Sequence, residues 1–88
     1  HRGAHRRWAR DKSLYLTWLA DAYLDACDET NAVATTERAL ALAGRVASAR
    51  PLDRVREVAQ RVAAAGIAGG ADLARRAAAT RVPTPAKL

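Results

Sequence analysis

Few side chains in this sequence are of kinds that do chemistry. His1 and His5 stand four apart, a separation at which two imidazoles on one helical face can share a metal ion. No further ligand lies close by and Cys27 is a helix away, so the pair reads as part of a solvated arm and no metal or cofactor is expected. Cys27 is the single cysteine, which excludes an internal disulfide. With no cation assured beside it, it reads as a small buried turn residue and not as a reactive thiol. Asp21, Asp25 and Asp28 recur at helical spacing. Acid–base work would need a pocket and a partner group as well, so the three read as a solvated acidic face. Both histidines lie in the basic N-terminal stretch, which leaves no Ser–His–Asp set, and "GIAGG" follows no strand that would make it a phosphate loop. Catalysis is not expected.

Binding chemistry has more to work with. Arg6, Arg7 and Arg10 interleave with Trp8, a pattern suited to nucleic acid or an acidic membrane surface. Tyr15 and Trp18 fit two readings, packing residues or a concave peptide-contacting face. "VREVAQRVAAAGIAGGADLARR" has the outline of a DNA-reading turn. Its glycine spacing, and Asp72 where an apolar residue belongs, argue against that.

The elements that must position these groups are helices. Asp11 or Ser13 can cap a first helix, in which Leu16, Leu19, Ala20, Tyr23, Leu24 and Cys27 follow the i, i+3, i+4, i+7 rule. A second stripe runs through Tyr15, Trp18, Ala22 and Ala26, so this helix is contacted from two directions. Asp28 can cap a second helix from about Thr30 to Ala43, with Gly44 as its stop and fraying as far as Ala47. Its inward positions are Ala32 or Val33, Thr36, Ala39 or Leu40, and Ala43. Pro51 suits the first turn of a third helix, where Leu52, Val55, Val58 or Ala59, and Val62 recur at helical spacing and Glu57 and Arg61 form an i, i+4 pair. Gly66 ends it. The expected organisation is a basic arm or the end of an upstream helix at 1–10, a three-helix segment at 11–66, and a low-complexity, disordered tail at 67–88 with a hinge at Gly69-Gly70. Residues 71–80 read as transiently helical.

Composition limits what such helices can bury. The chain has 88 residues, half of them apolar, but 23 of the apolar ones are Ala, and Phe and Met are absent. A buried Ala contributes far less than the roughly 1.5–3 kcal/mol of a buried Leu or Val, so a thin core and low stability are expected. The net charge of +6 is uneven: residues 1–12 carry +4, 13–44 carry −4, and the rest is basic. The best-patterned segment is thus acidic, whereas a nucleic-acid module normally carries its positive charge on the element that docks. No apolar run approaches the roughly 20 residues of a membrane span, and no signal-peptide core follows the basic start. The absence of Met suggests a fragment and the Ala- and Arg-rich composition a bacterial source, and without a membrane span, signal peptide or disulfide the expected location is the cytoplasm.

The small residues at the inward positions carry a resemblance. Leu19, Ala20 and Tyr23 in the first helix, Ala32 and Ala39 in the second, and the closing "RALALA" are similar to one tetratricopeptide repeat. Departures are Leu16 in place of Trp, Cys27 at the turn, Thr36 in place of a bulky residue, and Gly44 in place of Pro. In the next frame Val55 meets the Leu position but Ala59 replaces Tyr, so the third helix reads as a cap. The layout "RDKSLYLTWLADAYLDA", "AVATTERALALA", "SARPLDRVREVAQRV" also resembles the C-terminal end of helix-turn-helix transcriptional regulators of high-GC bacteria. The resemblance implies an all-α helical hairpin plus a capping helix, with flexible termini. It also implies a non-catalytic module for a protein or peptide partner or for self-association, with DNA reached only through a domain absent from this chain. Tyr15, Trp18, Asp21, Tyr23 and Asp25 are then the partner-binding candidates. The alternative is a small basic nucleic-acid-binding protein acting through Arg6, Arg7 and Arg10.

Overall fold

The computed structural model describes residues 2–46 and 48–82, with side chains from Arg7 onward. Among these residues there are four helices and no strand: α1 (Arg2–Asp25), α2 (Glu29–Ala43), α3 (Ala49–Ala64) and α4 (Gly70–Ala79). The protein is all-α. α1 packs along α2 and α3 along α4, while α3 also touches both α1 and α2, and α2 touches α4. The result is two helical hairpins laid side by side.

Alanine is the main contact residue of the first hairpin. Ala20, Ala32, Ala39 and Ala43 are fully buried, which lets the two backbones approach closely. The approach is close enough for the buried Ser13 hydroxyl of α1 to donate to the Ala39 carbonyl of α2 at 3.1 Å. Bulk comes from the centre, where Leu16, Leu52, Val55 and Leu73 are enclosed and Leu19, Val33 and Leu42 pack at the margin. All the inward positions expected in α3 are buried, with both Val58 and Ala59 inside. In α2, Ala32, Thr36, Ala39, Leu40 and Ala43 are buried and Val33 packs at the margin.

The turn between α1 and α2 is tightly specified. The Asp28 N–H donates to the Tyr23 carbonyl and the Cys27 N–H to the Leu24 carbonyl, a Schellman ending for α1. The Asp28 carboxylate then accepts from the Asn31 N–H at 3.3 Å and caps α2. Cys27 holds the left-handed position at φ +59 that Gly would fill without strain, and its side chain is exposed, not buried as its small size had suggested. A left-handed position turns the side chain away from the hairpin. Cys27→Gly is therefore expected to raise stability by about 1 kcal/mol, the order of the steric cost of a left-handed L-residue. A urea midpoint that fails to rise would refute this account of the turn.

Two boundaries differ from the sequence expectations, and so does the expected hinge. Residues 2–10 are not a separate arm; they form the first turns of α1, which therefore starts well before Asp11 or Ser13. This stretch contains no Pro, Arg and Ala are strong helix formers, and Ala9 is already buried. Residues 70–79 are not tail but α4, with Leu73 and Ala77 buried. Gly69 makes its left-handed entry at φ +83, and Gly70 lies against the Val62–Ala63 backbone, so the expected hinge is a packed corner. Arg56 of α3 closes the other end of α4, donating from Nε to the Ala77 carbonyl at 3.0 Å and from its terminal nitrogen to the Thr80 carbonyl. Ala47 and residues 83–88 lie outside the described residues.

Candidate interaction surface

Among the described residues the large hydrophobic side chains left in solvent are three, and all belong to α1: Trp8, Tyr15 and Trp18, at 55%, 51% and 67% exposure. They share one face because their spacings of seven and three bring them into register on an α-helix. α2 and α3 occupy the opposite side of α1, through Leu16, Thr17 and Ala20, which leaves Tyr15 and Trp18 more than half exposed. Tyr15 and Trp18 are thus not packing residues. The Lys12 ammonium stands 5.6 Å from the centre of the Tyr15 ring, a cation–π arrangement.

Beside Trp18 an open groove of about 640 Å³ runs between α1 and α3. Leu14, Thr17 and Trp18 form its α1 wall, and Arg50, Asp53 and Arg54 stand on the α3 side. The groove combines an aromatic and aliphatic wall with a mixed-charge wall, which suits an amphipathic peptide segment better than a small polar substrate.

Asp21 does something other than form part of a solvated face, whereas Asp28 caps α2 as expected. Asp21 is only 19% exposed and accepts hydrogen bonds from both Arg54 and Arg61, clamping α1 to α3. Asp25 receives a weaker bond from Arg61 at 3.4 Å and stays exposed. Asp28 is the α2 cap. The expected Glu57–Arg61 pair does not form: Glu57 binds Arg54 at 3.0 Å, and Arg61 reaches α1 instead. Burial lowers the proton affinity of Arg54, but the hydrogen bonds it donates to Glu57 and Asp21 outweigh it, and the net direction is upward. Arg61 is raised by its hydrogen bond to Asp21, and Arg76 by its bond to Glu37. All three guanidiniums therefore stay charged across any working pH. Signs of this clamp are present in the sequence as complementary stripes, Asp21 and Asp25 at i, i+4 against Arg54 and Arg61 at i, i+7.

Of the partner-binding candidates, Tyr15 and Trp18 lie together on the open face of α1. Tyr23 is half-buried near the turn, Asp21 is engaged within the fold, and Asp25 sits at the edge of the clamp. Sequence reasoning missed Trp8 as a member of the same face, and it missed Arg50 and Asp53 across the groove. Arg7 and Arg10 are exposed on the first turns of α1, with Asp11 3.6 Å from Arg10, while the Arg6 side chain lies outside the described residues, as do His1 and the side chain of His5. Among the described residues no three of His, Cys, Asp and Glu converge on a metal-sized site, and no helix is long and apolar enough to cross a membrane. No known protein family, curated protein or solved structure matches this chain.

Proposed function

We propose that this chain is a non-catalytic protein-interaction or regulatory module, the C-terminal part of a cytoplasmic bacterial transcriptional regulator, related in design to tetratricopeptide arrays. The observation that carries the reading is the open α1 face, with Tyr15 and Trp18 beside the α1–α3 groove. Support for the design comes from the order of contacts. The first helices of the two hairpins touch, the second helices touch, and α1 and α4 do not meet among the described residues. In helical repeats this arrangement leaves a groove along the first helices that is open to a partner.

The test is selection of peptides from a displayed library against the full chain. Selected peptides should shift the Trp emission to shorter wavelength, and Trp18→Ala should weaken them by roughly tenfold or more, as for an aromatic hot spot. Enrichment of no sequence, or binding indifferent to Trp18, would sink the reading.

The exposure of Arg7 and Arg10 on α1 favours one second reading, nucleic-acid binding through the basic end of that helix. It requires affinity for duplex DNA that falls steeply with salt and is lost in the Arg7→Ala/Arg10→Ala double variant. Point substitutions are the appropriate test, because deleting residues 1–10 would remove the first turns of a packed helix.

A further inference from the structure

We infer that the open face of α1 docks a second copy of this chain, antiparallel, to form a two-fold homodimer. The inference rests on the reading of this face as an interaction surface and names what occupies it. Three observations point to that occupant.

The first is periodicity. Trp8, Asp11, Tyr15, Trp18 and Ala22 are exposed and alternate in steps of three and four. A 3.5-residue period on an outward face is the seam of a helix pair wound left-handed, and it is separate from the face of α1 that packs in the core.

The second is charge. The exposed basic residues Arg7 and Arg10 lie towards the start of α1, and exposed Asp25 lies at its end. An antiparallel copy brings each basic end beside the other's acidic end. A parallel copy would set Arg7 beside Arg7 and Asp25 beside Asp25.

The third is size. With Tyr15 of one copy facing Trp18 of the other, and the reverse, four aromatic rings meet at the two-fold axis. In the same register Trp8 arrives at Asp25 of the second copy, with the small side chains of Ala22 and Ala26 on either side of it. Trp8, Tyr15 and Trp18 bury roughly 150–250 Å² each when fully covered. Six such side chains, about half exposed to begin with, give an interface on the order of 1,000 Å² with the flanking alanines and basic stems, the size that a specific pair needs.

Sedimentation of the full chain from micromolar to near-millimolar concentration tests the pairing. The expected result is a reversible monomer–dimer equilibrium. Tyr15→Ala/Trp18→Ala should weaken it by roughly tenfold or more while leaving the helical circular dichroism unchanged. Arg7→Glu/Arg10→Glu should weaken it too, and adding Asp25→Arg should restore part of the loss. Orientation is read from a spin label on Cys27, the sole cysteine and an exposed one. At about 1.5 Å per residue, the antiparallel register puts the two labels roughly 30 Å apart, whereas a parallel pair would bring them within about 15 Å. A chain that stays monomeric throughout, a dimer indifferent to the aromatic substitutions, or a short label separation each overturns the inference. A monomer that still captures displayed peptides through Trp18 would overturn this inference alone and leave the interaction-module reading standing.

Discussion

Gly70→Val is expected to detach α4 from the rest of the protein. A side-chain carbon at Gly70 would lie 2.9 Å from the Val62 carbonyl oxygen and 3.0 Å from the Ala63 Cα, and backbone cannot yield as a flexible side chain does. Overpacking of this kind costs about 1–3 kcal/mol or more, and α4 has little to hold it beyond Leu73, Ala77 and the Arg56 cap. Amide exchange should show the α4 amides losing protection while α1 and α2 keep theirs. The neighbouring Gly69→Ala is the control. Beyond its chain neighbours, a side-chain carbon there would meet no atom of the described residues within 4 Å, so only the left-handed φ of +83 opposes the change, at about 1 kcal/mol. If Gly70→Val exchanged like the parent chain, the close corner between α3 and α4 would be wrong, and residues 70–79 would revert to the tail that their composition suggests.

Leu16→Ala is expected to lose about 2–5 kcal/mol, a large share of the roughly 5–15 kcal/mol that holds an ordinary domain. Leu16 is 1% exposed and belongs to the cluster that joins all four helices. In a core filled largely with alanine, few neighbours can move in to fill the cavity. At about 4–8 °C per kcal/mol for a chain of this size, the melting temperature should fall by about 10 °C or more. Trp18→Ala, two positions on, should stay within about 0.5 kcal/mol of the parent at concentrations where the chain is monomeric, because its ring is then in water. A loss below about 1 kcal/mol for Leu16→Ala, or a loss for Trp18→Ala as large as that for Leu16→Ala, would mean that α1 is turned about its axis relative to the fold described above.

Much of the architecture is legible in residue order. Helical spacing marks the inward faces of α2 and α3 almost to the residue, and the Asp28 cap marks the start of α2 to within two residues. α1 was harder to read because it carries two apolar stripes, and periodicity alone does not say which one the chain buries. The stripe with larger rings, Tyr15 and Trp18, looks the better core but is the exposed one. The small stripe wins because Ser13, Ala20 and their α2 partners allow a backbone approach that an indole would prevent. α4 was obscured by composition: "GGADLARRAAAT" has a single bulky apolar residue, and its helix depends on docking and on the Arg56 cap.

The order of residues settles that this is an all-helical chain built on alanine contacts, since the 3.6-residue period and the caps act between near neighbours and need no distant partner. It does not settle where the charges go. Asp21 lies in a run that reads as a solvated face, yet it is enclosed by Arg54 and Arg61 from a helix more than thirty residues away. Nor does it settle which side of α1 is left open. Both depend on how the second hairpin seats against the first, and that choice is made by packing volume over long sequence separations, where local pattern carries no information.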